Sequence, residues 1–489
     1  MTALNAENLS SLDSAVAIPK YDRSQVTAGI VHFGVGGFHR AHQAMVIDTL
    51  LNEGKAQEFG ICGVGVMPAD LRMRDALAAQ DNLYTLVLKH ADGRREARVI
   101  GSIVEYLYAP DDPDVVIEKL ASPSTKIVTL TVTEGGYNID YTTGDFVLSQ
   151  VDVAHDLEPD AVPRTVFGLV TEALRRRRER GIAPFTIASC DNIQGNGDIA
   201  KKAVSTFARA KDPDLGDWIE STVAFPSSMV DRITPVTADS DKVELSERFG
   251  VEDAWPVVAE PFFQWVLEDH FPEGRPPYDE AGVQLVGDVE PYELMKLRLL
   301  NAGHQGIAYF GYLSGHRYAH EAAGDPLIAR FVRRYMDEEG TPTLKPVPGI
   351  DLDAYKDSLL ERFANPEVRD TLARLCLESS DRIPKWLLPV VRERIAAGGA
   401  VPLSAAIVAS WARYADGVDE DGQPIEVVDR IRDQVMANAA KQHADPTAFI
   451  ADRSIFGDLV DEPTFREPFL ATLASLYEKG AQETLRELD

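Results

Sequence analysis

Within the run Glu293-Leu-Met-Lys296-Leu-Arg-Leu-Leu-Asn301-Ala-Gly-His304, a lysine, an asparagine and a histidine recur at spacings that chemistry can use. Leu294, Leu297, Leu299 and Leu300 predict an apolar helix, which puts the polar groups at a packed interface. At about 100° per residue, Asn301 and His304 lie within roughly 140° of Lys296 on a helix wheel, so the three can face one cleft. A lysine whose pKa is lowered by burial serves as a base. An asparagine donates to a developing oxyanion, and a neutral histidine orients a hydroxyl or a carbonyl. The set suits proton transfer from an alcohol. The same spacing also fits an amphipathic helix whose lysine snorkels to solvent.

Other groups extend this chemistry. Gly34-Val-Gly36-Gly37-Phe38-His39 follows a β-rich run and opens a helix, as does the turn in which glycines let a backbone approach a dinucleotide pyrophosphate. His39 stands where the third glycine of that fingerprint would be. Asp70, just past the next strand, is placed to accept from an adenosine ribose hydroxyl and to repel a 2′-phosphate, favouring NAD. It can equally cap the helix that follows. Ser189-Cys-Asp191-Asn192 ends another strand, where Asn192 is either a second amide donor or a turn residue. Met229-Val-Asp231-Arg232-Ile-Thr-Pro235 holds polar groups in an apolar setting, with an Asp–Arg pair as one reading. His39 with His42, and His316 with His320, lack a third ligand and the H-E-x-x-H order, so no metal site is expected. The basic run Arg175 to Arg178 reads as a solvated helix end favoured by the dipole.

The elements that must position these groups fall into two patterns. Up to about residue 285, strands alternate with helices. Ile30–Phe33, Ile61–Val66, Tyr84–Leu88, Val99–Ile103, Ile127–Thr133 and Phe185–Cys190 are predicted strands, with helices from the glycine turn to about Leu51 and over Thr165–Arg180. This predicts an α/β Rossmann-type N-terminal domain, 1–285, with a mostly parallel sheet covered on both faces. Residues 286–489 predict a mainly α-helical C-terminal domain, with helices at Pro326–Met336, Asp353–Phe363, Asn365–Leu377 and Leu403–Tyr414.

A chain of 489 residues exceeds one compact core, and its 45% apolar and 26% charged content is that of a globular enzyme. The net charge of −29 repels nucleic acid and anionic membranes. Three scattered cysteines, no basic-then-apolar leader pattern and no bilayer-length apolar run predict a cytoplasmic protein with neither a disulfide framework nor a membrane partner.

Five motifs in order (Gly34 to His42, Thr131-Val-Thr-Glu134-Gly-Gly-Tyr137, Ser189 to Asn192, Met229 to Pro235, and Lys296-x4-Asn301-x2-His304) resemble the polyol-specific long-chain dehydrogenases over nearly the whole chain. The resemblance implies metal-independent hydride transfer between NAD and a secondary alcohol, with the small-molecule substrate held between the domains. D-mannitol and D-fructose are the first expectation, and the protein is expected to be a monomer or weak oligomer. It implies Lys296 as general base, Asn192 and Asn301 on the reacting oxygen, and His304 and Asp231 on substrate hydroxyls. It places Glu293 on a proton pathway, Arg374 on substrate, and Gly34, Gly36, Gly37, Phe38, Asp70, Thr131 and Glu134 around the cofactor. Two positions depart from the family pattern. Arg382, a longer and planar cation, replaces a substrate-contacting lysine, and Ala69 replaces one of two acidic residues near the ribose. Alternatives are a fructuronate or tagaturonate reductase, for which Arg374 or Arg382 would receive the carboxylate, an arabinitol or sorbitol dehydrogenase, and a non-catalytic nucleotide sensor.

Overall fold

The computed structural model describes residues 1–140 and 144–489, apart from the side chain of Glu134. The chain divides into two compact units, Met1–Glu290 and Pro291–Asp489.

The first unit is built on a five-stranded sheet. Its strands are β1 (Ala28–Phe33), β2 (Gly60–Gly65), β3 (Ile103–Tyr108), β4 (Ile127–Leu130) and β5 (Thr186–Ser189), in the order β5-β4-β1-β2-β3 with every pairing parallel. Alternation along the strands explains the two covered faces. Val31, Phe33, Cys62, Val64, Val128 and Leu130 enter one apolar cluster, while Ile30, Ile61, Ile103 and Ile127 enter another on the opposite face. The strand order reverses at β1, so the crevice at the carboxyl ends of β1 and β4 is the switch point where ligands bind in open α/β sheets. The same unit holds a four-stranded sheet that pairs Tyr84–Lys89 with Arg95–Ile100, a three-stranded one that includes Ser228–Asp231, and two short two-stranded pairings.

Several expected elements differ in detail. Val99–Ile103 is not one strand. Arg95–Ile100 ends and β3 begins across Gly101-Ser102, because the Gly101 amide donates to Asp48 Oδ1 and the Ser102 hydroxyl to the Ala44 carbonyl. The helix after the glycine turn is interrupted at His42 (φ −124°, ψ −89°), giving α1 (Gly37–Ala41) and α2 (Gln43–Asn52). In the run on α3 (Val166–Glu179), Arg177 is buried, not solvated. It donates to the carbonyls of Leu120, Ser122, Thr125 and Ala183 and so closes the turns around it.

Among the described residues the second unit has no strand, only two isolated bridges. The helix expected over Asn365–Leu377 is reduced to Leu372–Leu375. Arg369 adopts φ +52°, and the backbone bonds Ala319 N to Asp370 O and Leu372 N to Arg317 O divert the segment into a bridge. Leu352–Phe363 and Pro402–Tyr414 form as helices.

Candidate active site

In the first unit, four motifs meet in a closed ring of hydrogen bonds. The turn after β1 needs glycine at Gly34, where φ is +90° and a Cβ would lie 2.1 Å from the Thr131 carbonyl oxygen. The Thr131 hydroxyl donates to the Gly34 carbonyl at 2.8 Å, tying the end of β4 to the turn. Asp191, at the end of β5, then holds the loop after β4. Its carboxylate accepts from Val132 N (3.1 Å), Thr133 N (2.8 Å) and the Tyr137 hydroxyl (2.7 Å). Asn196 joins this corner to the strand that ends at Asp231, donating to the Asp191 and Ser228 carbonyls and accepting from Ser228 N. Arg232 closes the ring by donating to the Ala41 carbonyl at the end of α1. The ring leaves Asn192 exposed beside it and Asp231 buried.

His39, where the fingerprint has its third glycine, fills the helix–strand contact with its ring instead of leaving it open. Its ring lies flat on His32 of β1, with centroids 3.4 Å apart and planes within 9°. His32 bridges Thr129 and Thr131 at 2.7 and 3.0 Å. Burial pushes the His32 imidazole down to about 3 and holds His39 well below the usual histidine range, so both rings are neutral and can stack without repulsion. Phe38 stacks on His42 at 4.8 Å. Gly36 is exposed, and a Cβ there would have only the Gly34 carbonyl within 4 Å, so the backbone of the turn is open to a pyrophosphate. Asp70 is half-buried, and its Oδ2 accepts from Val66 N and Met67 N at 2.9 Å each, which closes the turn after β2; its side chain makes no cap bond to the helix Leu71–Ala78 that follows, contrary to the expected helix cap. The side chain of Glu134 lies outside the described residues.

In the second unit the regular helix wheel does not apply. Lys296–Asn301 is a π-helix, set between the α-helices α4 (Glu290–Met295) and α5 (Ala302–Leu313). Hydrogen bonds in such a segment span five residues, so a residue five on lies over its predecessor. Asn301 is five after Lys296, and the wide turn brings them nearer in azimuth than the expected 140°. Lys296, Glu293 and Asn301 are all buried. The Asn301 Oδ1 is buried and accepts no hydrogen bond from any described protein group. The His304 ring packs on Phe363 at 4.3 Å. Arg374 is engaged by Asp370 through two of its three guanidinium nitrogens, Nε at 2.5 Å and Nη2. Arg382 donates to the Arg374 and Leu375 carbonyls at 3.1 Å each and lies over Trp386. The Leu375 carbonyl also accepts from Gln305 on α5, beside His304.

Among the described residues no three His, Cys, Asp or Glu side chains gather as metal ligands, and no helix is long and apolar enough to cross a membrane. His42 is bonded to the Gln264 carbonyl and Gln43, and His316 faces Asp325. Asp191, Asn196 and His32 hold the site's framework yet escaped the sequence reading as individual residues. Their signal was only their place inside or beside the motifs.

The parallel sheet with a glycine turn at its switch point defines a Rossmann-type dinucleotide-binding unit, and an all-helical unit follows it. The chain belongs to the mannitol dehydrogenase family. The family's Rossmann-domain model matches residues 28–280 and its C-terminal-domain model residues 288–477, as the five motifs suggested. Mannitol 2-dehydrogenase of Phaeosphaeria nodorum is 46% identical over 99% of this chain and 85% of its own length. The structure of Pseudomonas fluorescens mannitol 2-dehydrogenase, a ternary complex with NAD and D-mannitol, is 43% identical and superposes with a TM-score of 0.91 over 100% and 99% of the two chains. A D-sorbitol dehydrogenase in substrate-free form is 37% identical, with a TM-score of 0.91 over 99% and 100%.

Proposed function

We propose that this chain is an NAD-dependent polyol dehydrogenase that interconverts D-mannitol and D-fructose without a catalytic metal. The full-length likeness to the Pseudomonas enzyme solved with NAD and D-mannitol carries this reading. The open glycine turn and the buried lysine and asparagine of the π-segment support it. Likeness to a sorbitol dehydrogenase makes sorbitol the second polyol to test. The direct test is NAD reduction over mannitol, sorbitol and arabinitol, with NADH oxidation over fructose and fructuronate. Mannitol and fructose should give the highest kcat/KM. Failure to turn over any of them would favour a nucleotide sensor.

The chemistry follows from the residues. Gly34, Gly36 and Gly37 would hold NAD, which would supply the acceptor for the carbinol hydride. Neutral Lys296 takes the hydroxyl proton as the hydride leaves, and Asn301 donates to the oxygen as negative charge builds there. The family resemblance assigns Asn192 to the reacting oxygen as well. His304, steadied on Phe363, and Asp231 orient the neighbouring hydroxyls. Glu293, three residues before Lys296, passes the proton on. In reduction the Lys296 ammonium returns a proton to the ketone oxygen.

Two consequences can be measured. Asp70 opposes a 2′-phosphate by like charge while its Oδ2 anchors two amides. Asp70→Asn keeps an oxygen for those amides and removes the charge. The ratio of kcat/KM for NADP over NAD should rise at least roughly tenfold, equivalent to about 1.4 kcal/mol. An unmoved ratio would leave Asp70 as a turn closure alone. Arg374 bears on the uronate reading, because Asp370 already occupies its guanidinium. A neutral polyol therefore suits the site better than a carboxylate. Asp370→Asn should raise kcat/KM for fructuronate relative to fructose, and an unchanged ratio would remove Arg374 from substrate selection.

A further inference from the structure

The π-segment is an irregular turn, and the second unit contains a device that holds it. At its end the Ala302 amide donates to the Leu297 and Leu299 carbonyls, five and three residues back. It bypasses the Arg298 carbonyl, to which the i→i−4 pattern of an α-helix would direct it. That carbonyl accepts instead from the hydroxyl of Tyr335 at 3.0 Å. Tyr335 is fully buried and opens a second π-segment, Tyr335–Gly340. Gly340 lets the two segments approach, since a Cβ there would lie 2.9 Å from Leu299 Cδ2 and 3.4 Å from the Arg298 oxygen. The side chain of the same Arg298 is held from the other side. Its guanidinium is 7% exposed and donates to the Thr343 carbonyl at 2.6 Å and to both oxygens of Glu393 at 2.7 and 2.6 Å.

The register of this segment matters because of what stands before and after it. If the extra residue of the wide turn were absorbed into regular α-helix, everything beyond it would rotate by about 100° relative to everything before it. Glu293 lies before the wide turn, Lys296 and Asn301 at its two ends, and His304 beyond it. We propose that Tyr335, with the Arg298–Glu393 pair, is a positioning element for catalysis. By occupying the bypassed carbonyl and fixing Arg298, it holds the π register that sets Asn301 and His304 in azimuth against Lys296. The inference rests on the reading of Lys296 as base and Asn301 as oxygen ligand.

Tyr335→Phe removes one hydroxyl and keeps the buried ring. For mannitol oxidation kcat should fall roughly tenfold, the scale of one lost net hydrogen bond and a loosened register, while KM for NAD stays at the wild-type value. The midpoint of the rising limb of the kcat–pH profile should move, because the surroundings of Lys296 change. Glu393→Gln, at the half-exposed end of the same device, should shift both readouts in the same direction by less and tests the idea even where Tyr335→Phe does not fold. If either folded variant lowers the melting temperature but keeps the wild-type kcat and pH profile, the device is structural only and the proposal is overturned. Wild-type turnover in Lys296→Ala would instead overturn the underlying reading, whatever the Tyr335 and Glu393 variants do.

Discussion

Replacing Lys296 with alanine should lower turnover of mannitol by about 10²- to 10⁴-fold, the contribution of a positioned general base. Lys296 is buried on the π-segment, whereas the glycine turn and Asp70 belong to a separately packed unit. NAD affinity, measured by titration of the protein's fluorescence, should therefore survive the substitution. An added primary amine that fits the space left by the side chain should restore part of the rate. Near-normal turnover in Lys296→Ala would remove Lys296 as the base, and loss of NAD binding would mean that the substitution disturbs more than proton transfer.

The second large effect belongs to Asn301. Asn301→Ala should cut kcat by about 10²- to 10³-fold, the cost of one lost donor to a developing oxyanion, with a much smaller change in KM. Asn301→Asp should be at least as damaging, because a carboxylate cannot donate and repels the charge that builds on the reacting oxygen. The donor in this role is the Asn301 Nδ2, on a side chain buried within the π-segment. A change confined to KM in Asn301→Ala would assign the residue to ground-state binding and overturn its role in the chemical step.

The sequence foretold the Rossmann-type unit well, because β-branched runs such as Ile127 to Thr129 and the turn at Gly34 carry their geometry locally. It also foretold the helical character of the second unit. What it missed depends on contacts far apart in sequence or on small departures from regularity. Nothing in Lys296 to Asn301 distinguishes a π-turn from an α-turn, since the wide register goes with partners such as Tyr335 and Gly340, some 40 residues away. Pro366 hints at irregularity while Arg369, an ordinary helix former, does not, and the bridge that dissolves the expected helix needs Arg317 to Ala319 from another segment. Arg177 reads as one of four exposed arginines until the carbonyls around it are known. Asp191, within the motif that ends at Asn192, reads as a turn residue, because a carboxylate that organises backbone amides has the same sequence signature as an ordinary turn aspartate.

The closed ring that joins Gly34, Thr131, Asp191, Asn196 and Arg232 has a consequence for anyone recombining members of this fold. Its parts are spread over about 200 residues, yet each supplies the partner that another requires. Grafting the glycine turn alone onto a foreign sheet would leave the Gly34 carbonyl without its threonine and the Ala41 carbonyl without its arginine. A chimaera cut between residues 140 and 180 would separate the Thr133 loop from the aspartate that holds it. Crossover points that keep the whole first unit from one parent should give folded hybrids far more often than points inside it, so the inheritable module here is the ring and not the fingerprint.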